Sequence, residues 1–390
     1  MQAAKCWCGN AALEPFSADY LRCSQCETLV YRAPDAPPQA ETKGKTKGKA
    51  KSKAKPGNEA GLYGREYWFS HQVENRGYPD IVARTRTDLP ERCLAWLSST
   101  LKYKLPPGKS LELGGAHGGF VALLSWAGFD ASGLDLSPWM VEFARKTFGV
   151  PMLLGPLEEQ SLAPGSLDLI AMMDVIEHFP DPEATVRRSL ELLKPDGVLV
   201  LQTPCYPEGE SHEKMLAGPS RFLDQLLPGE HLQLFSRSSV KQFLGRLGLV
   251  HVAFEPAIFA HYDMFLVASR QPLTVHDESA LAAALTASPP GRLVLSLLDN
   301  AARYRELQER NEAAEQDRAA RLKIIHELEE IIHAQGVELA QRQAELNALT
   351  QALDEEVNAP IREQVKRVSQ RGWVYARGLA QARLGVAKNT

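Results

Sequence analysis

The sequence predicts an α/β fold: a doubly wound parallel sheet, preceded by a small cysteine module and followed by a long heptad-patterned helix. Three observations carry this. Short apolar runs alternate with amphipathic segments from residue 61 to 270, the pattern of strands covered by helices. Four of the six cysteines fall within the first 26 residues. Beyond residue 290 the apolar period changes to seven.

The 390 residues exceed one ordinary domain. Boundaries are expected at 1–32 (cysteine module), 33–60 (linker), 61–270 (α/β domain), 271–289 (second linker), 290–357 (coiled coil) and 358–390 (basic tail). The net charge of −4 argues against a uniformly basic nucleic-acid binder, and nucleic acid is not the expected partner. The charge is unevenly spread, because Glu41 to Gly57 holds seven lysines and one acid, and residues 361–390 hold seven Lys/Arg and one Glu. The lysine segment, nearly free of large apolar side chains, reads as an extended spacer. No run approaches ~18 apolar residues, and MQAAKCWCGN lacks a secretory pattern. A cytoplasmic protein is expected, with peripheral contact at an inner membrane face conceivable through the basic tail.

The cysteine module reads Cys6-x-Cys8-x14-Cys23-x-x-Cys26, two close pairs of soft ligands of the kind tetrahedral zinc takes. About 30 residues are too few to fold without such a staple. Cys6, Cys8, Cys23 and Cys26 are therefore the expected ligands of a structural Zn²⁺.

Within 61–270 the expected strands are Ser110–Leu113, Ala131–Asp135, Met152–Leu154, Leu167–Met172, Gly197–Gln202, Val250–Phe254 and Met264–Ala268. Pro138–Phe148, capped by Ser137, and Pro182–Leu193 are expected helices. Lys194-Pro195-Asp196-Gly197 reads as a turn between helix and strand, and Pro204 as that strand's end. The first strand runs into Gly114-Gly115-Ala116-His117-Gly118, a strand-to-helix turn whose glycines let a ligand approach the backbone. Asp135 closes the next strand, where a carboxylate can accept both hydroxyls of a ribose.

These features resemble the class I S-adenosylmethionine-dependent methyltransferases over roughly residues 62–270. The resemblance rests on Glu112-x-Gly114-x-x-x-Gly118, the Asp135 strand end, Asp168-Leu-Ile, Met173-Asp174-Val-Ile-Glu177-His178 and Leu193-Lys-Pro-Asp-Gly197. It implies a seven-stranded, Rossmann-like methyltransferase domain with a reversed final hairpin. It also implies S-adenosyl-L-methionine as cofactor, with Glu112, Gly114, Gly115, Ala116 and Gly118 at the methionine end. Asp135 would hold the ribose, Leu136 and Leu157 would border the adenine, and Met173 and Asp174 would lie near the sulfonium. Ala116 stands where many members have glycine, a replacement that a negative φ tolerates. Pro156 stands where many have an acid for the adenine amine. Tyr63, Tyr67 and Trp68 read as a lid.

On the acceptor side, methylating a hydroxyl requires removal of its proton, usually by His or a carboxylate. Glu230-His231-Leu-Gln-Leu-Phe235-Ser236 resembles a stretch of zinc-containing sugar methyltransferases, which implies His231 as base with Glu230 orienting it. His178 is the second candidate base. Asp174, Glu177 and His178 could instead hold Mg²⁺ against a catechol-like acceptor, as similar stretches in ubiquinone-pathway O-methyltransferases suggest. A saccharide hydroxyl is the expected acceptor, in surface-glycan or related biosynthesis. Alternatives are an RNA methyltransferase that uses the cysteine module and lysine linker, and a non-enzymatic coiled-coil scaffold.

Leu297, Tyr304, Asn311, Arg318, Ile325, Ile332, Leu339, Leu346 and Leu353 are spaced by seven, with Leu307, Ala314 and Leu328 at the matching second position. That seam predicts coiled-coil self-association into a homo-oligomer. Ile361, Val365, Val368, Tyr375 and Leu379 share a helical face among basic residues, a pattern compatible with an amphipathic helix on an anionic membrane.

Overall fold

In the computed structural model, the described residues are 6–32, 64, 65, 69, 77 and 79–386, with side chains described as far as 381. The lysine-rich linker 33–60 and the aromatic residues Tyr63, Tyr67 and Trp68 lie outside them. The chain divides into two units, residues 1–304 and 305–390.

The first unit is built on a seven-stranded sheet. Its strands are β4 (Lys109–Leu113), β5 (Asp130–Asp135), β6 (Met152–Leu154), β7 (Leu167–Met173), β8 (Leu193–Pro204), β10 (His251–Glu255) and β11 (Asp263–Ser269), in the order β10-β11-β8-β7-β4-β5-β6. The five strands from β8 to β6 run parallel, and β11 lies antiparallel between β8 and β10. The reversed final hairpin is therefore present, and each expected strand lies within about two residues of its observed bounds or inside a longer strand. One difference is local. Lys194–Gly197 does not precede the strand but bulges within β8, since Leu167 pairs with Leu193 and Leu169 with Val198. Gly197 permits the bulge, because a Cβ there would stand 2.9 Å from Leu193 Cδ2 and 3.1 Å from the Lys194 carbonyl.

Strand alternation divides the core between two faces. Leu169, Ala171 and Met173 of β7 join Trp96, Leu97, Phe120 and Phe265 on one face, while Ile170 and Met172 join Val186, Leu190, Phe243 and Leu244 on the other. Helices Asp88–Leu101 and Gly119–Ala127 cover the first face, and helices Pro182–Leu192 and Arg237–Arg246 the second. Pro138–Phe148 forms as expected, with the Ser137 side chain accepting from the Met140 N–H.

The cysteine module forms β1 (Leu13–Pro15), β2 (Tyr20–Cys23) and β3 (Leu29–Tyr31), an antiparallel meander. It is not a separate bead on a linker. β3 pairs antiparallel with β9 (Gln233–Leu234), which belongs to the segment between β8 and β10, to complete a four-stranded sheet. Phe16, Tyr20, Leu29, Tyr206, Met215, Phe222 and Leu234 form one buried cluster across that seam. Trp7 packs edge-on against Phe243, and Arg246 donates to the Cys8 carbonyl at 3.1 Å.

One helix spans Pro289–Val386, so the expected coiled coil and basic tail are a single element through Pro360. The composition shift at residue 358 is one of charge, and side-chain charge leaves the backbone ladder intact. In the second unit the large apolar side chains of this helix are exposed. No described helix is long and apolar enough to cross a membrane.

Leu29 is fully buried between the module and β9. Leu29→Ala should lower unfolding stability by about 2–5 kcal/mol in urea denaturation, the range for a buried leucine truncated in a packed core.

Candidate active site

The carboxyl ends of β4, β5 and β7 border a cavity of about 1110 Å³. Its lining includes Glu112, Gly114, Gly115, Ala116, Asp135, Leu136, Leu157, Met173 and Asp174, so all the expected cofactor residues except Gly118 converge there. The turn after β4 is held by the Gly115 N–H on the Leu134 carbonyl and the Gly118 N–H on the Gly115 carbonyl. Gly114 and Gly118 have φ of +68° and +83°. A Cβ on Gly114 would stand 2.2 Å from Val175 Cγ1, and one on Gly118 would stand 2.8 Å from Ala144 Cβ. The glycines thus serve the turn and its packing against the chain itself, in addition to leaving the cavity open.

Ala116 corrects an expectation. Its φ is +40°, in the left-handed region, where an alanine carries roughly 1–2 kcal/mol of strain. The conformation is held because the Ala116 N–H donates to Asp135 Oδ2 at 3.0 Å, while the Ser137 N–H donates to Oδ1 at 2.8 Å. These two bonds lock the Asp135 carboxylate and leave each oxygen a lone pair for a further hydroxyl. Burial raises the pKa of Asp135 against these amide donors.

Glu112 supplies the test of fit for a cationic cofactor. It is buried in the cavity wall, and its Oε2 has no hydrogen-bond partner. Burial, and then the field of Asp135, push it up to about 8. An orphaned carboxylate of this kind is answered by an ammonium group. His117, in the same turn, is buried and lowered to about 4, chiefly by desolvation, and is therefore a neutral core group.

The acceptor end is more polar than the motifs alone foretold. Asp174 adopts φ +56°, and its two carboxylate oxygens are held by Arg92 Nη2 at 2.7 Å and Gln202 Nε2 at 2.9 Å. It therefore turns away from the Asp174–Glu177–His178 metal set expected from spacing. The set that converges is Glu177, His178 and His231, with one ligand atom of each lying within 4.8 Å of the others. Glu177 is 1% exposed, accepts from Thr203 Oγ1 at 2.9 Å, and is driven up by burial and then by Asp174.

The two histidine rings lie 4.9 Å apart, centroid to centroid. His231 Nδ1 is 2.7 Å from the Gln225 carbonyl, and His178 Nδ1 is 2.8 Å from the Glu230 carbonyl. A carbonyl can only accept, so both Nδ1 atoms donate, and Nε2 is the nitrogen of each ring at which a proton is gained or lost. The Gln225 carbonyl orients His231, whereas the expected orienting residue, Glu230, brings its main-chain carbonyl to His178. The cysteine module fixes this segment, because Tyr20 Oη donates to the His231 carbonyl at 2.9 Å and the Tyr31 N–H donates to the Leu232 carbonyl at 2.9 Å.

Sequence reasoning missed Arg92, Gln202, Thr203 and Asp263. Asp263, at the start of β11, is 3% exposed, with Oδ2 unpartnered and its pKa raised to about 8 by burial and then Asp174. None of the four lies in a motif; the pairing of β8 with β11 and the packing of helix Asp88–Leu101 on the sheet bring them together.

In the cysteine module, the four sulfurs form one group within 4.8 Å. Cys6 Sγ lies 3.4 Å from Cys26 Sγ, and Cys8 Sγ lies 3.6 Å from Cys23 Sγ. Those separations are close to the ~3.8 Å edge of a tetrahedron with ~2.3 Å metal–sulfur bonds. The hydrogen bond between Cys6 and Cys26, with Thr28 assisting, lowers Cys26 and raises Cys6.

Residues 85–253 match the family model described as a methyltransferase domain. The ubiquinone biosynthesis O-methyltransferase of Xanthomonas campestris is 32% identical over 105 residues, covering 25% of this chain and 44% of that protein. The protein of the same name from Ralstonia nicotianae is 28% identical over 195 residues, 48% of this chain and 78% of that one. The chain spans a little under half the length of the Xanthomonas relatives it matches. Among solved structures, magnesium protoporphyrin IX methyltransferase from Synechocystis, with bound S-adenosylhomocysteine, is similar with a TM-score of 0.39 and 20% identity over 53% of this chain and 98% of that one. Residues 85–253 are a class I, S-adenosylmethionine-dependent methyltransferase domain.

The raised Asp263 carboxyl has a thermodynamic consequence. An unfolded Asp ionises near ~4, so a folded-state value of about 8 makes folding take up a proton between those values. Stability is then intact below pH ~4 and is lost as pH rises toward 8. Asp263→Asn removes that linkage, so its melting temperature should exceed the parent's at pH 8 by more than at pH 5.

Proposed function

We propose that the protein transfers the methyl group of S-adenosylmethionine to a hydroxyl, and that the acceptor is a saccharide or a related polyhydroxylated molecule. The carrying observation is the histidine pair at the acceptor end of the cavity, with both rings fixed as Nδ1–H tautomers and therefore offering Nε2 as a base. When bound, the cofactor supplies an electrophilic methyl on a sulfonium cation. Glu112 would take its ammonium end and Asp135 its ribose hydroxyls, while Leu136 and Leu157 would border the adenine. His231 Nε2 accepts the acceptor's proton as the oxygen attacks, and the Gln225 carbonyl stabilises the resulting imidazolium through Nδ1. His178 lies beside it as a second acceptor of that proton.

Polyhydroxylated acceptors suit the rim, where Arg221, Asp224, Gln225 and Glu230 offer both donors and acceptors. The relatives' printed name, O-methyltransferase, agrees with a hydroxyl acceptor. A catechol-type acceptor is the second reading, favoured by the convergence of Glu177, His178 and His231 on a space that a divalent cation such as Mg²⁺ would fill. The four-cysteine group holds a structural Zn²⁺ in this account. That ion would keep the module folded and so keep β3 on the segment that carries His231.

Methyl transfer from labelled S-adenosylmethionine, screened against sugar and catechol acceptors, tests the assignment. His231→Asn should lower kcat about 10²–10⁴-fold, as loss of a general base does, while leaving S-adenosylhomocysteine affinity within about twofold. An unchanged kcat would remove His231 from the chemistry. Turnover confined to catechols and dependent on added Mg²⁺ would favour the second reading.

A further inference from the structure

The long helix carries its apolar side chains unshielded in the second unit. Leu346, Leu349, Leu353, Val357, Ile361, Val365 and Val368 are each more than half exposed. Heptads predict self-association but not its direction. The spacing of the stripe does contain a direction. Counting backward from Val357, the seam falls at Leu353, Leu349, Leu346, Arg342 and Leu339, in steps of four, four, three, four and three. Counting forward, it falls at Ile361, Val365, Val368, Gly372 and Tyr375, in the same steps. The stripe is a palindrome about Val357.

Charge is arranged in the opposite sense about the same residue. Residues 358–386 hold six basic residues and Glu363, a net of +5. The mirror segment, 328–356, holds seven acids and Arg342, a net of −6. We propose that two copies of the chain pair through this helix as an antiparallel coiled coil whose two-fold axis passes at Val357. Leu353 then meets the partner's Ile361, Leu349 meets Val365, Leu346 meets Val368, and Leu339 meets Tyr375. Arg342, the one charged residue on the acidic half of the seam, meets Gly372, which leaves it room.

The two-fold reading also accounts for the break in the heptads. Between Leu349 and Val365 the steps are all four, a local departure that unwinds a coiled coil. At the axis, each copy's departure faces the other's, so both remain in register. A parallel pair would align that departure too, but would stack Asp354, Glu355 and Glu356 on their own copies and the basic segment on itself. Opposite charges flanking the seam select the antiparallel arrangement and weaken with salt.

Light scattering on the full chain should give twice the monomer mass. Under mild oxidation, Val357→Cys should form a disulfide-linked dimer, because residue 357 faces itself across the axis. Leu346→Cys alone should not crosslink, whereas Leu346→Cys combined with Val368→Cys should; the parent chain, with its six native cysteines, is the control. Self-crosslinking of Leu346→Cys as efficient as that of Val357→Cys would establish a parallel pair and overturn the proposal. A monomer at micromolar concentration and low salt would overturn it as well, whether or not that monomer sediments with anionic phospholipid vesicles.

Discussion

The histidine-bearing side of the pocket depends on a two-residue strand. Gln233–Leu234 pairs with Leu29 and Val30 of the cysteine module, and the residues just before it carry His231. Without that pairing, the stretch between β8 and the helix Arg237–Arg246 would lose its strand partner, and ordering it costs about 1–2 kcal/mol per residue. The module supplies the missing anchors, with backbone bonds to the strand, the Tyr20 hydroxyl on the His231 carbonyl, and a buried aromatic cluster beneath. The cysteine group thereby acquires a structural role at the pocket: whatever holds the four sulfurs together also holds His231, the proposed base, in place.

The other organising constraint is electrostatic. Glu112, Glu177 and Asp263 line one cavity and are each pushed upward by burial, while Asp174 is ion-paired with Arg92. Such a pocket tolerates its own carboxylates in the neutral form and favours a ligand that brings positive charge. A sulfonium with an ammonium group at one end has that character. The strained backbone at Ala116 and Asp174, both at positive φ, marks the two edges of the same space.

How much of this was legible in the sequence follows from how far apart the interacting residues lie. The glycine turn and Asp135 could be read because turn chemistry is local and the two strand ends adjoin in the sheet. The paired cysteines could be read because thiolate spacing is itself the signal. The docking of β3 on β9 could not, since its partners are about 200 residues apart and neither strand exceeds three residues. The absence of Asp174 from the converging metal-type set could not be read for the same reason. Arg92 and Gln202, which take both its oxygens, lie 82 and 28 residues away, and neither belongs to a motif. Glu230 precedes His231 in sequence, yet the ring answers to the Gln225 carbonyl, because the chain doubles back at Leu227. Ala116 shows that a hydrogen-bonded carboxylate can hold a residue in a conformation its type disfavours.

Titration calorimetry of S-adenosylhomocysteine into the purified full chain, beside Glu112→Gln, tests the central claim most directly. The account predicts micromolar binding by the parent chain, and an affinity at least about tenfold weaker in the variant, which keeps the side chain's shape but removes the charge that faces the ligand's ammonium group. Absence of binding by the folded parent chain would contradict the account, and equal affinity in the two proteins would contradict the role given to Glu112.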